Sequence, residues 1–254
     1  MEQNLLLSNV SIVVTRPAKQ NKAMCFKIEQ LGASPISFPC IEIIPQDCAI
    51  SPSNPINLAI FISPNAVEYG LPLFQALDKN LTANCQFVAV GTTTAQALNA
   101  QGLENVLSPK NSPDSESLLK LPELVDIENK SVLIIKGTGG RTLIKETLIN
   151  RGASVHILDA YERAIPRTVD IHELNSKIDL ILFTSNESAQ NFLALIPDFL
   201  QKSLLNCQTI VGHPRIAEKV TSLGFKNLPI IATSPSDRDM LSAVKKWAHK
   251  NGEK

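Results

Sequence analysis

At six places in this 254-residue chain a short aliphatic run gives way to hydroxyl, amide, glycine and basic residues. These places are Thr15-Arg16-Pro17, Ser63-Pro64-Asn65, Gly91-Thr92-Thr93-Thr94, Lys136 to Arg141, Thr184-Ser185-Asn186 and Gly212-His213-Pro214-Arg215. If each run is a strand and each polar cluster opens a helix, the clusters line the carboxyl rim of a parallel sheet. There, unpaired helix N–H groups and the positive ends of helix dipoles hold anions. Singly, Ser, Thr and Asn at such positions are ordinary helix caps. Together with Arg16, Lys136, Arg141 and Arg215 they describe two rims built for a polyanion. The binding candidates are therefore Thr15, Arg16, Ser63, Asn65, Gly91, Lys136, Gly137, Arg141, Thr184, Ser185, Asn186 and Arg215. Lys plus Arg and Asp plus Glu both number 24, so no global positive field recruits nucleic acid, and an anionic ligand must be held by local groups.

Other chemistries are poorly served. The Lys136–Arg141 loop follows a strand and has Asp159 about twenty residues on, as a dinucleotide fingerprint would, but Thr142 takes the third glycine position and no GK[ST] completes a P-loop. Carboxylates near the rims are scarce, and no Ser-His-Asp or Cys-His order is legible. The histidines, His156, His172, His213 and His249, are dispersed, and the cysteines, Cys25, Cys40, Cys48, Cys85 and Cys207, lack CxxC or zinc spacing. The cysteines are expected to be reduced packing residues, and neither a metal site nor a cofactor is expected. Catalysis on such rims leans on positioning and N–H donors rather than on a strong acid–base pair.

The elements that must position these groups alternate in the manner of an α/β protein. Strands are expected at Val10–Val14, Leu58–Ile62, Phe87–Val90, Val132–Ile135, Leu180–Phe183 and Thr209–Val211. Helices with one apolar face are expected over Ala23–Leu31 and Arg141–Asn150. Gly32 and Gly152 fall just past those helices, where a left-handed residue closes the last turn. Composition, 44% hydrophobic and 19% charged, suits a soluble protein of about two domains. The apolar runs are far shorter than the roughly 20 residues of a membrane helix. Leu5-Leu6-Leu7 lacks the form of a signal peptide, so no membrane association and a cytoplasmic location are expected.

The chain also repeats itself. Ser11-Ile12-Val13-Val14 and Gly32-Ala33-Ser34 recur 120 positions later as Ser131-Val132-Leu133-Ile134 and Gly152-Ala153-Ser154. Asn65 and Val90-Gly91 recur at an offset of 121, and Thr94-Ala95 and Ser112-Pro113 at 122, as Ile216-Ala217 and Ser234-Pro235. Each copy carries several strands and helices, enough to bury a core of its own, which predicts two similar α/β lobes. Pro35–Pro45 and Val155–Pro166 occupy matching places in the copies and are extended enough to pair as a two-stranded connector.

Taken in order, VVTRP from Val13, SPNAV at Ser63 to Val67, AVGTTTAQAL at Ala89 to Leu98, the KGxGGR loop, GAxV with AYERAIP, FTSNES from Phe183 and the SPSDRDMLSAV segment resemble the uroporphyrinogen-III synthase family over nearly the whole chain. The resemblance implies two α/β lobes with parallel sheets, joined by an antiparallel two-stranded ladder at 37–45 and 155–167. It also implies a discontinuous domain of 1–36 with 168–254 and a second domain at 46–154. The implied substrate is hydroxymethylbilane, a linear tetrapyrrole with eight carboxylates, cyclised without a cofactor by a monomeric enzyme. The family's tyrosine falls on Tyr161, whose hydroxyl could assist loss of the leaving hydroxyl, with packing of a half-buried strand tyrosine as its alternative role. Thr94 matches the first GxxTA threonine and is the second catalytic candidate. The chain departs from the family at Gly212-His213-Pro214-Arg215, where a threonine pair is replaced and Arg215 is the candidate substitute. Two rivals stay open: a non-catalytic two-lobed protein closing on a small anion, and a nucleotide-dependent enzyme using the 136–141 loop.

Overall fold

The computed structural model describes residues 7–252 apart from Ala49, Ser51, residues 111–113 and Arg141. The chain forms two compact units, Met1–Glu42 with Ala164–Lys254, and Ile43–Arg163. Its strands are β1 (Ser11–Val14), β2 (Ser34–Ser37), β3 (Glu42–Pro45), β4 (Leu58–Phe61), β5 (Gln86–Ala89), β6 (Ser131–Gly137), β7 (Ser154–Ala164), β8 (Leu180–Phe183), β9 (Gln208–Val211) and β10 (Ile230–Ile231). The helices are α1 (Ala18–Glu29), α2 (Pro64–Gln75), α3 (Lys79–Thr82), α4 (Thr92–Asn99), α5 (Ser115–Leu118), α6 (Pro122–Val125), α7 (Leu143–Asn150), α8 (Asn186–Leu195), α9 (Asp198–Leu204), α10 (Pro214–Ser222) and α11 (Asp237–Gly252).

One sheet runs β10-β9-β8-β1-β2 and the other β3-β7-β6-β4-β5. Every pairing from β10 to β2, and every pairing from β7 to β5, is parallel. Parallel strands need apolar residues on both faces, since helices cover both. In the first sheet Val13, Ile181, Phe183 and Val211 face one core, and Ile12, Val14, Leu180, Leu182 and Ile210 face the other. In the second sheet Ala59, Phe61, Leu133, Ile135 and Leu158 face one side, while Leu58, Ile60, Val132 and Ile134 face the opposite one. Burial pushes the Cys85 thiol up to about 12 and Cys25 and Cys207 to about 11, so these cysteines behave as packing groups.

The two closing glycines act alike. Gly32 (φ 83°) and Gly152 (φ 85°) are left-handed. In each, the glycine N–H reaches back three residues, to Glu29 O or Ile149 O. The following alanine N–H reaches back five, to Ile28 O or Leu148 O. This Schellman closure turns the chain from α1 or α7 into the next strand. The helix expected over Ala23–Leu31 begins earlier, at Ala18, because Pro17 supplies a fixed φ at the entry.

The repeat is not the folding unit. The copies equate β1-β2 with β6-β7, and β4-β5 with β8-β9. Yet β1 pairs with β8, and β6 pairs with β4. Each sheet therefore takes two strands from one copy and the rest from the other. Of the segments expected to pair as a connector, Pro35–Pro45 is divided. Ser34–Ser37 pairs with β1 in the first sheet, and Glu42–Pro45 lies beside Ser154–Ala164 in the second. Phe38 and Cys40 between them are buried in the core of the first unit.

Candidate functional site

In the unit Ile43–Arg163 the carboxyl ends of β4, β6 and β7 bring together Ser63, Gly137 and Tyr161. Ser63 caps α2, its Oγ accepting from Ala66 N–H at 3.0 Å, and the same Oγ lies 3.0 Å from the Tyr161 hydroxyl. The register of β6 and β7 shifts between Lys136 and Gly137, so that Gly137 stands opposite Tyr161. A methyl group at Gly137 would come within 2.6 Å of the tyrosine ring, so only glycine lets this strand end lie on the ring. Thr138 N–H donates to Tyr161 O at 2.8 Å, and the Tyr69 ring lies 6.0 Å away on the α2 side. Tyr161 is 4% exposed, with its hydroxyl held beside Ser63.

On the opposite face of the same sheet, Lys136 Nζ lies 3.3 Å from Asp159 Oδ1 and donates to Gly137 O at 3.1 Å and to Gly139 O. Gly139 and Gly140 are both left-handed, so the loop curls back over the lysine. A cavity of about 430 Å³ opens there, between the sheet and α7. Gly91 is the cap residue of α4. Thr94 is 4% exposed and lies on the buried face of α4 with Leu98. Asn65 is half-buried in the first turn of α2. Arg141 lies outside the described residues.

In the other unit the rim is formed by the ends of β1, β8, β9 and β10. Thr15 is fully buried and its Oγ1 donates to Leu182 O at 2.7 Å, tying β1 to β8. The hydroxyl proton is thus engaged at the sheet edge. Arg16 is 9% exposed, ion-paired with Asp237, and donates to Pro235 O at 2.6 Å. Lys27 Nζ reaches the other Asp237 oxygen at 2.5 Å. Burial alone would raise the Asp237 carboxyl, but the Lys27 hydrogen bond and the charges of Arg16 and Lys27 outweigh it and hold it below its ordinary range. Arg16 is thus turned toward α11 rather than left free for an anion. Ser185 caps α8 by accepting from Ser188 N–H at 3.0 Å, and Thr184 beside it is half-buried. Asn186 Oδ1 is buried without a hydrogen-bond partner. His213 caps α10 through Nδ1, which accepts from Arg215 N–H at 3.1 Å, and the Arg215 side chain is exposed.

The profile of the family described as Uroporphyrinogen-III synthase HemD matches residues 22–242. The chain belongs to that family. It is 30% identical over 242 residues to uroporphyrinogen-III synthase of Escherichia coli K12, an alignment covering 90% of this chain and 97% of the relative. The enzyme of the same name from Salmonella typhimurium LT2 is 30% identical over 241 residues, covering 90% and 97%. Uroporphyrinogen-III synthetase of Helicobacter pylori 26695 superposes with a TM-score of 0.63 over 94% of this chain and 99% of that one. At 20% identity that likeness speaks to the fold.

Within this synthase-family chain, sequence reasoning missed Asp237 and Asp159. Asp159 enters the sequence reading only as the acidic residue that follows a dinucleotide-like loop, and Asp237 lies at the start of a helix whose acidic first turn reads as ordinary dipole compensation. Only the fold brings Asp237 to Arg16. Among the described residues no group of three His, Cys, Asp or Glu could hold a metal ion, and no helix is long and apolar enough to cross a membrane.

Proposed function

We propose that the chain acts as a uroporphyrinogen-III synthase of tetrapyrrole biosynthesis, closing hydroxymethylbilane to uroporphyrinogen III without a cofactor. The observation that carries this reading is the family match across residues 22–242, with an alignment covering 90% of this chain and 97% of the Escherichia coli synthase. The chemistry is loss of the ring A hydroxyl, attack of ring D through its substituted carbon on the resulting azafulvene to give a spiro intermediate, breakage of that carbon's bond to the ring C methylene, and re-formation of the bond at the free α carbon of ring D with loss of a proton, so that ring D is inverted and one water leaves overall. The demands on the protein are modest: hold many carboxylates, donate a proton to a departing hydroxyl, and keep ring D from closing in its original sense.

The residues suit those demands. If Ser63 donates to the Tyr161 oxygen, the tyrosine O–H is left free to donate to the leaving hydroxyl, a general-acid role. Exposed Arg215 and the cap N–H groups of α4, α8 and α10 supply carboxylate partners. The enzyme works as a cytoplasmic monomer in this reading. The test is incubation with enzymatically generated hydroxymethylbilane and separation of product isomers. Predominant type III with no added metal or nucleotide is expected, and type I alone at the uncatalysed rate would remove the enzyme reading in favour of a binding protein.

A further inference from the structure

The cavity of about 430 Å³ beside the Lys136–Gly140 loop is used by nothing described so far. Its apolar lining comes from Ile62, Val90, Ile134, Ile144 and Ile157, and its polar side chains are Ser115, Lys136, Thr142, Lys145 and Asp159. There Asp159 Oδ1 is buried and accepts no hydrogen bond. Lys136 Nζ lies 3.3 Å from that oxygen but directs its hydrogen bonds to the carbonyls of Gly137 and Gly139. Lys145 and Thr142 stand at the mouth, and both are exposed.

Asp159 Oδ1 has the Lys136 ammonium as its ion-pair partner but accepts no hydrogen bond, so one of its lone pairs remains to be offered to a ligand N–H in the cavity. Phosphates would meet the Asp159 charge instead of a cradle of donors, which argues against the nucleotide reading of this loop. The volume lies near the low end of the roughly 300–1,000 Å³ range of small-molecule sites and suits one substituted ring rather than four. Aliphatic walls, a carboxylate acceptor and a lysine at the mouth suit an N–H heteroaromatic ring with a flexible carboxylate arm.

We propose that this cavity seats a single pyrrole ring of the linear tetrapyrrole, its ring N–H donating to Asp159 Oδ1 and one carboxylate arm reaching Lys145. The assignment rests on the synthase reading for the identity of the ring, but the cavity is tested separately. The probe is porphobilinogen, a free monopyrrole with one acetate and one propionate arm, titrated into protein carrying labelled isoleucine methyl groups. Saturable shifts are expected for Ile134, Ile144 and Ile157. Ile157→Phe, which fills a half-buried wall, should weaken porphobilinogen binding and raise KM for hydroxymethylbilane by about tenfold each. Val90→Phe fills the same space from just past β5 should the first variant fail to fold. Asp159→Leu should lose porphobilinogen binding, while Asp159→Asn, which keeps an acceptor oxygen, should restore most of it. Unshifted methyls, or a wild-type KM and affinity in the filled variant, overturn the proposal even if type III product forms. Saturable binding by a protein that makes only type I would overturn the enzyme reading and leave the cavity standing.

Discussion

The Tyr161 hydroxyl and Ser63 Oγ stand 3.0 Å apart although 98 positions separate them in the chain. The serine is itself fixed by the α2 cap, so its orientation is set before any substrate arrives. Tyr161→Phe removes the donor and keeps the ring, and should lower kcat by about ten- to a hundredfold with KM nearly unchanged. Chemical denaturation should show a loss of only about 1 kcal/mol, the usual cost of one hydrogen bond. Ser63→Ala should lower kcat similarly, with about 1 kcal/mol more instability because the helix cap goes too. Full kcat in both variants would make the pair structural.

Gly137→Ala tests the same centre without touching a polar atom. The added methyl would meet the Tyr161 ring at 2.6 Å, so the ring or the strand end must move. Overpacking of this kind costs about 1–3 kcal/mol. The expected result is a lower melting temperature together with a kcat deficit as large as that of Tyr161→Phe. Turnover at the wild-type level would show that the ring position is not critical.

Arg16 and Arg215 should behave differently although both are arginines at strand ends. Arg16 is buried against Asp237 and Pro235 O, so Arg16→Ala should cost about 2 kcal/mol of stability. Arg215 is exposed at the start of α10, so Arg215→Ala should leave stability unchanged and raise KM severalfold, less so at high salt. Melting curves and Michaelis plots in low and high salt separate the two.

The Asp237 carboxyl predicts an acid limit. Its folded-state value is held below the ordinary 3.8, so its contribution to stability is fully present above that value and is lost as pH falls through the lower, folded one. Urea unfolding of the wild type and Asp237→Asn between pH 7 and pH 3 should show a constant gap down to about pH 5, narrowing in more acid solution. A gap that widens in acid would reverse the sign of the argument.

The order of strands and helices was legible because it is local. Val13-Val14, Ile60 and Ile181-Leu182 announce strands through side-chain type, Gly32 and Gly152 announce helix ends through their left-handed turn, and Ser63 and Ser185 announce caps through their reach to the third N–H. The motif order that marks the synthase family is likewise a property of the chain alone. Which β1-like strand pairs with which β4-like strand was not legible from pattern. The two copies carry equivalent edges, so alternation scores a pairing within a copy and a pairing across copies alike, and only the assembled sheets show β1 beside β8 and β6 beside β4. The fate of each polar side chain was hidden for the same reason. Thr15, Arg16 and Ser63 look alike as rim residues in sequence. The partners Leu182 O, Asp237 and Tyr161, brought from remote positions by packing, decide that the first ties a sheet, the second anchors a helix and the third orients a phenol.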